Sequence, residues 1–243
     1  MDMVRAMGVF LQGFSTTRSF THPYEIHQVG RLWVLRDAPR PRDERKQEII
    51  VCGLTPEEAQ EEIRAYGQWA WVCVLLPAAE DILLTKNAYK AMGYRYTGVQ
   101  PMMTHDLKSL PDRESPVEIH RVLDRDEADR LNRAAGARQI LPHHIHEGNA
   151  DVRLYVATIA GEFVGNVKSV AAGPDRWVSN MFVNEGHRRQ GIGTALLTAM
   201  LKDDKSYGIE NSVLLATTVG SKLYSSLGYE HLGNLLMFTP RRS

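Results

Sequence analysis

The chain has 243 residues, 43% hydrophobic and 24% charged, and its 29 basic and 29 acidic side chains cancel. That is a globular composition, sized for one large or two small domains. Balanced charge without a clustered basic excess argues against a nucleic-acid partner, and no apolar run is long enough for a membrane-spanning helix.

The N-terminal stretch "MDMVRAMGVFLQGFSTTRS" has a short apolar patch without a signal-peptide layout, and reads as the first strand or helix of the fold. "RLWVL" and "EIIVCGL" read as strands joined by the polar loop "RDAPRPRDERKQE" (36–48). "TPEEAQEEIRAYG" reads as a helix, with Thr55 as N-cap, Pro56 in the first turn and Glu58 completing a capping box. "WAWVCVLL" follows as a strand, "LTKNAYKAMG" as a helix, and a last strand runs through "PMMTHDL". Cys52 and Cys73 lie in apolar strand-like runs and read as buried free thiols, which suits a reducing cytoplasm.

"THDLKSLPDRESPVEIH" (104–120) is polar, carries two prolines and reads as a linker, dividing the chain into 1–112 and 113–243. Beyond it, "VEIHRVL" reads as a strand and "DEADRLNRAAG" as a helix between an Asp124 cap and a Gly136 stop. "DVRLYVATI" and "EFVGNVKSVAAG" form a hairpin around "AGE", and "RWVSNMFV" is the next strand. Ile192, Ala195, Leu196, Ala199 and Met200 mark one face of a helix. "NSVLLAT" is a buried strand, "SKLYSSLG" a short helix and "LLMFT" the final strand.

The two halves share a tail. "YKAMGYRYTGVQPMMTH" from Tyr89 and "YSSLGYEHLGNLLMFTP" from Tyr224 carry Tyr, Gly-Tyr, Gly, Met and Thr at matching offsets. The preceding strand-helix-strand order agrees as well, so an internal repeat is the plainest explanation.

The chemistry concentrates in "EGHRRQGIGTALL" (185–197), where a strand feeds a glycine-bearing loop that opens a helix. Unpaired amides, the helix dipole and the close approach that glycine permits make such a start an anion site, with phosphate the default guest. Arg188 and Arg189 add fork-shaped donors. The dinucleotide fingerprint fails because Leu196 stands at its third glycine, and the P-loop fails because Ile192 stands where lysine is required.

Arg188, Gly191 and Gly193 instead spell R-x-x-G-x-G, which resembles the acyl-CoA pyrophosphate loop of the GNAT superfamily of N-acetyltransferases. "NMFV" before it and "LYSSLGY" after it resemble the family's splayed strand and tyrosine-bearing helix, and the likeness spans 116–242. The resemblance implies an α/β fold with a mixed sheet, here in tandem, with a degenerate GNAT-like unit over 1–112. It implies acetyl-CoA as co-substrate and no metal. The splayed strand, Met181, Phe182 and Val183, would pair with the pantetheine arm. The loop from Arg188 and Arg189 through Gln190, Gly191, Ile192 and Gly193 to Thr194 would hold the pyrophosphate. Tyr224 would protonate the departing thiolate. The acceptor would be a primary amine, on a small molecule or a peptide, attacking the thioester directly; monomer and homodimer both remain open.

The sequence departs from the family at Thr217, where many members carry an asparagine that holds the CoA arm. It also lacks a carboxylate on "RWVSNMFV", where Asn180 stands near the position of the glutamate found in some members, so a base falls to water or a histidine. "LPHHIHEGN" offers His143, His144, His146 and Glu147 as acceptor contacts, in a spacing that matches no zinc signature. In the first half "CGLTPEEAQ" replaces the phosphate loop, and Pro56, Glu57 and Glu58 disfavour an anion, so that half should not bind acyl-CoA. An N-acetyltransferase is the leading function, and a CoA-responsive binding or scaffolding protein the alternative.

Overall fold

The apolar runs of both halves become neighbouring strands of one sheet. The computed structural model describes residues 1–18, 20, 22–37, 47–110 and 115–241. The first half runs α1 (Met3–Arg18), β1 (Glu25–Val29), β2 (Leu32–Arg36), β3 (Glu48–Cys52), α2 (Pro56–Tyr66), β4 (Trp71–Pro77), α3 (Ile82–Ala91) and β5 (Tyr94–His105). The second runs β6 (Glu118–Arg121), α4 (Arg125–Ala134), β7 (Val152–Ile159), β8 (Glu162–Ala172), β9 (Asp175–Val183), α5 (Ile192–Ser206), β10 (Ser212–Leu215), α6 (Ser221–Ser225) and β11 (Glu230–Pro240). The N-terminal stretch is a helix. Most of the 36–48 loop, the 112/113 boundary and Arg242 lie outside the described residues.

Local signals set the element ends. Thr55 Oγ1 accepts from the Glu58 amide at 3.2 Å, and the Glu58 carboxylate accepts from the Thr55 amide at 2.8 Å, closing the capping box of α2. Gly67, at φ 69°, ends that helix in the left-handed conformation that glycine adopts without strain. The Asp124 carboxylate caps α4 by accepting from the Glu127 amide at 2.8 Å.

The sheet has eleven strands in the order β1-β2-β3-β4-β11-β5-β10-β9-β8-β7-β6. The repeat matches β3, β4 and β5 with β9, β10 and β11, and the order is symmetric about the central β11/β5 pair. The last strands are exchanged. β11 lies beside β4 of the first half, and β5 lies beside β10 of the second. Each half's sheet is completed by the other's final strand. This arrangement explains the repeated spacing: across the antiparallel β11/β5 ladder, Gly98 faces Met237 and Gly233 faces Met102. Small meets large at both pairs, and a Cβ on Gly98 would sit 3.2 Å from Met237 Cε.

α1 crosses onto the second half. Successive residues of β9 point to opposite faces. Trp177 packs against Phe10 of α1, with ring centroids 5.5 Å apart, while Val178 joins Leu196, Leu197 and Met200 of α5. α1 approaches closely at Gly13, where a Cβ would lie 2.2 Å from the Trp177 side chain. Arg5 pins the start of α1 by pairing with Asp175 at 2.7 Å and Glu210 at 2.6 Å. Beneath α5, the fully buried Arg153 pairs with Asp204 and, at 3.1 Å, with Asp203. Asp204 also accepts from the Ser169 hydroxyl at 2.7 Å, so the buried charge is hydrogen-bonded as well as paired. Cys52 and Cys73 are free thiols.

Candidate active site

The site begins where two parallel strands part. β9 and β10 pair only through Arg176↔Ser212 and Trp177↔Val213. Past that point β9 bulges: Lys168 faces Ser179 and Asn166 faces Phe182, leaving Asn180 and Met181 opposite Val167. Asn180 takes a left-handed φ of 51°. The bulge is held by the Asn166 side-chain amide, which donates to the Asn180 carbonyl at 2.8 Å, and by the Asn180 side-chain amide, which donates to Gln139 Oε1 at 2.7 Å.

The parting strands open a cavity of about 730 Å³, floored by the start of α5. Gly191 is the N-cap, at φ 81°, and no side chain accepts from the helix start. The first intrahelical bond runs from the Ala195 amide to the Gly191 carbonyl at 3.0 Å. The amides of Ile192, Gly193 and Thr194 therefore precede any helical partner. Gly193 lets the strand and two helices converge, since a Cβ there would lie 3.0 Å from Met181 Cε and 3.2 Å from Leu223 Cδ2. Arg188 Nε donates to the Val183 carbonyl at 3.1 Å and braces the loop against β9.

Met181, Phe182, Val183, Arg188, Arg189, Gly191, Ile192, Gly193, Thr194, Thr217 and Tyr224 all line this cavity. Gln190, expected among them, does not: its side-chain amide folds back to donate to the Gly186 carbonyl at 3.2 Å. His187, Val219 and Leu223 line the cavity without having been singled out in the sequence, and only the position of His187 inside the glycine loop hinted at it. Tyr224 is 9% exposed, and its ring meets Tyr229 edge-on at 5.6 Å. Burial pushes its phenol up to about 12, so at neutral pH it holds its proton. Thr217 Oγ1 accepts from the Gly220 amide at 3.0 Å, so this side chain organises the turn into α6 and does not extend as an asparagine would.

A second cavity, of about 630 Å³, is built from the end of α1, the stretch after α4 and the bulged strand pair. Asn180 lines both cavities. No carboxylate lines either one among the described residues. The four residues of "LPHHIHEGN" expected as acceptor contacts are placed otherwise. The 3₁₀ turn Pro142–His144 buries His144 against His143 and Phe20, at centroid distances of 4.0 and 6.2 Å. Burial and the neighbouring His143 lower the His144 pKa below the usual imidazole range. His143, His146 and Glu147 are exposed, and none of the four lines either of these two cavities.

The equivalent place in the first half is closed. β3 and β4 stay paired over five residues, from Glu48↔Trp71 to Cys52↔Leu75. Tyr89, the counterpart of Tyr224, is 1% exposed and stacks on Phe238 at 4.6 Å.

Residues 150–231 match the family model described as the acetyltransferase (GNAT) domain. No curated protein matches the chain. Among solved structures, a GCN5-related N-acetyltransferase from Kribbella flavida is similar with a TM-score of 0.68 and 19% identity, over 100% of this chain and 97% of that one. A GCN5-related N-acetyltransferase from Sphaerobacter thermophilus is similar with a TM-score of 0.56 and 16% identity, over 86% of this chain and 76% of that one. A putative acetyltransferase of the GNAT family from Novosphingobium aromaticivorans gives a TM-score of 0.52 and 14% identity, over 97% and 99%. At these identities the likeness concerns the fold, and it extends through both halves.

Proposed function

From the match of residues 150–231 to the acetyltransferase (GNAT) domain, we propose that this chain is an acyltransferase of the GNAT superfamily that moves an acetyl group from acetyl-CoA to a primary amine by direct attack. The observation that carries this reading is the uncapped start of α5 at the foot of the parted strands. The amides of Ile192, Gly193 and Thr194, with Arg188 and Arg189, suit a pyrophosphate. The edge of β9 from Met181 to Val183, which no longer pairs with β10, faces an extended pantetheine arm. Acetyl-CoA supplies the activated thioester.

The acceptor amine enters from the side of the second cavity, whose lining shares Asn180 with the first. Backbone N–H groups of β9 polarise the acetyl carbonyl as the amine attacks. Tyr224, protonated and lining the cavity, donates its phenolic proton as the thiolate leaves. With no carboxylate in either lining, water takes the proton released by the amine.

Release of free CoA thiol across a panel of amines tests this. A CoA-responsive binding protein is the second reading, favoured by the inward turn of Thr217. Tight acetyl-CoA binding with slow hydrolysis and no amine-dependent release would support that second reading and end the first.

A further inference from the structure

Lys168 is the one buried ammonium whose place in the second cavity the reaction above does not use. It sits on β8 opposite Ser179 of the bulged strand and is 5% exposed. Among the described residues its only polar or ring contact is with the Phe20 face, 5.1 Å from Nζ to the ring centroid. Burying a cation without a counter-anion is costly, and the usual remedies are a carboxylate partner or neutralisation. Among the described residues the lining supplies no carboxylate. It supplies two more cations, Arg18 from the end of α1 and Arg138 from the stretch after α4, beside the polar Ser179 and Asn180. Arg18 is partly engaged, its Nε donating to the Tyr24 hydroxyl at 3.3 Å. A polar cavity with two arginines beside a buried ammonium is complementary to an anion.

We propose that this cavity selects acceptors whose amine is accompanied by an acidic group, a carboxylate or a phosphate, and that Lys168 is its recognition residue. The inference rests on the acetyltransferase reading, because it names the acceptor class of that same site. Two features agree with it. Burial lowers the Lys168 pKa to about 8, which an arriving anion would reverse by stabilising the charged form. Asn180 lines both cavities, which places Lys168 on the neighbouring strand close to the parted strands.

The test compares matched acceptors on the full chain: amino acids beside their amides, and phosphoethanolamine beside ethanolamine, all by CoA-thiol release. The acidic member of a pair should be preferred by about 10- to 100-fold in kcat/KM, the value of one hydrogen-bonded charge contact. Lys168→Met should collapse that ratio towards one, mainly through KM of the acidic member, and Lys168→Arg should restore part of it. Whether the better acid is a carboxylate or a phosphate is read from the two kinds of pair. Equal use of acidic and neutral members, or a preference that survives Lys168→Met with an unchanged melting temperature, would overturn the proposal. Calorimetry with N-acetyl amino acids in the presence of CoA separates the two readings. Binding that Lys168→Met removes, without turnover of any amine, would support the anion site and count against the transferase. Neither turnover nor binding would overturn the anion site as well.

Discussion

The starts of α2 and α5 hold equivalent places in the repeat and satisfy their free amides in opposite ways. At α2, Thr55 and Glu58 bond each other's backbone, Pro56 brings no donor, and Arg31 pairs with Glu58 at 3.0 Å and Glu62 at 3.1 Å. At α5 the cap is a left-handed glycine with nothing to accept. The strands agree with the helices: β3 and β4 stay paired where β9 and β10 part. So do the tyrosines, one sealed under Phe238 and one lining a cavity. The first half thus caps its own helix and keeps its own strands paired where the second leaves both open. The closed unit still serves the open one, because its β5 completes the second sheet and its α1 walls the second cavity.

This contrast can be broken by substitution. The largest effect should come from Gly191→Glu or Arg188→Glu, either of which places a carboxylate at the pyrophosphate site; acetyl-CoA binding should vanish in calorimetry while thermal unfolding remains cooperative. Tyr224→Phe should lower kcat by about 10²-fold, the scale of one general-acid contribution, whereas Tyr89→Phe should leave steady-state rates unchanged. A pH series addresses Lys168, which faces Arg18 and Arg138 across the cavity. Its ammonium is charged below about 8 and lost above it. Binding of an N-acetyl amino acid, whose carboxylate stays ionised throughout, should therefore weaken as pH rises through that value. The smallest effect should be Thr55→Ala, costing about 1 kcal/mol of stability for the lost cap in denaturant titration and leaving acetyl-CoA affinity intact.

What the sequence revealed was local. Thr55 with Glu58, Asp124 with Glu127 and the glycine loop before Ile192 are each decided within a few residues, and each is found where its pattern placed it. The likeness of the two tails, with Gly98 and Gly233 at matching offsets, was legible in the sequence, but the exchange of β5 and β11 was not. The same Gly and Met spacing would serve a strand paired within its own half, and the choice is made by long-range ladders. Lys168 escaped notice because in "EFVGNVKSVAAG" it alternates as an outward-facing strand residue would, and it is buried by the distant α1 and Phe20. The histidines of "LPHHIHEGN" drew attention by composition, yet none of them lines either cavity. The Gln190 side chain bonds back to the Gly186 carbonyl, a local choice that the loop pattern does not encode.

The central claim is that one of two equivalent helix starts holds acetyl-CoA. Calorimetric titration of acetyl-CoA into the unmodified chain measures this most directly. The account predicts one site per chain, abolished by Gly191→Glu. Two sites per chain, or a stoichiometric site persisting in Gly191→Glu, would contradict it.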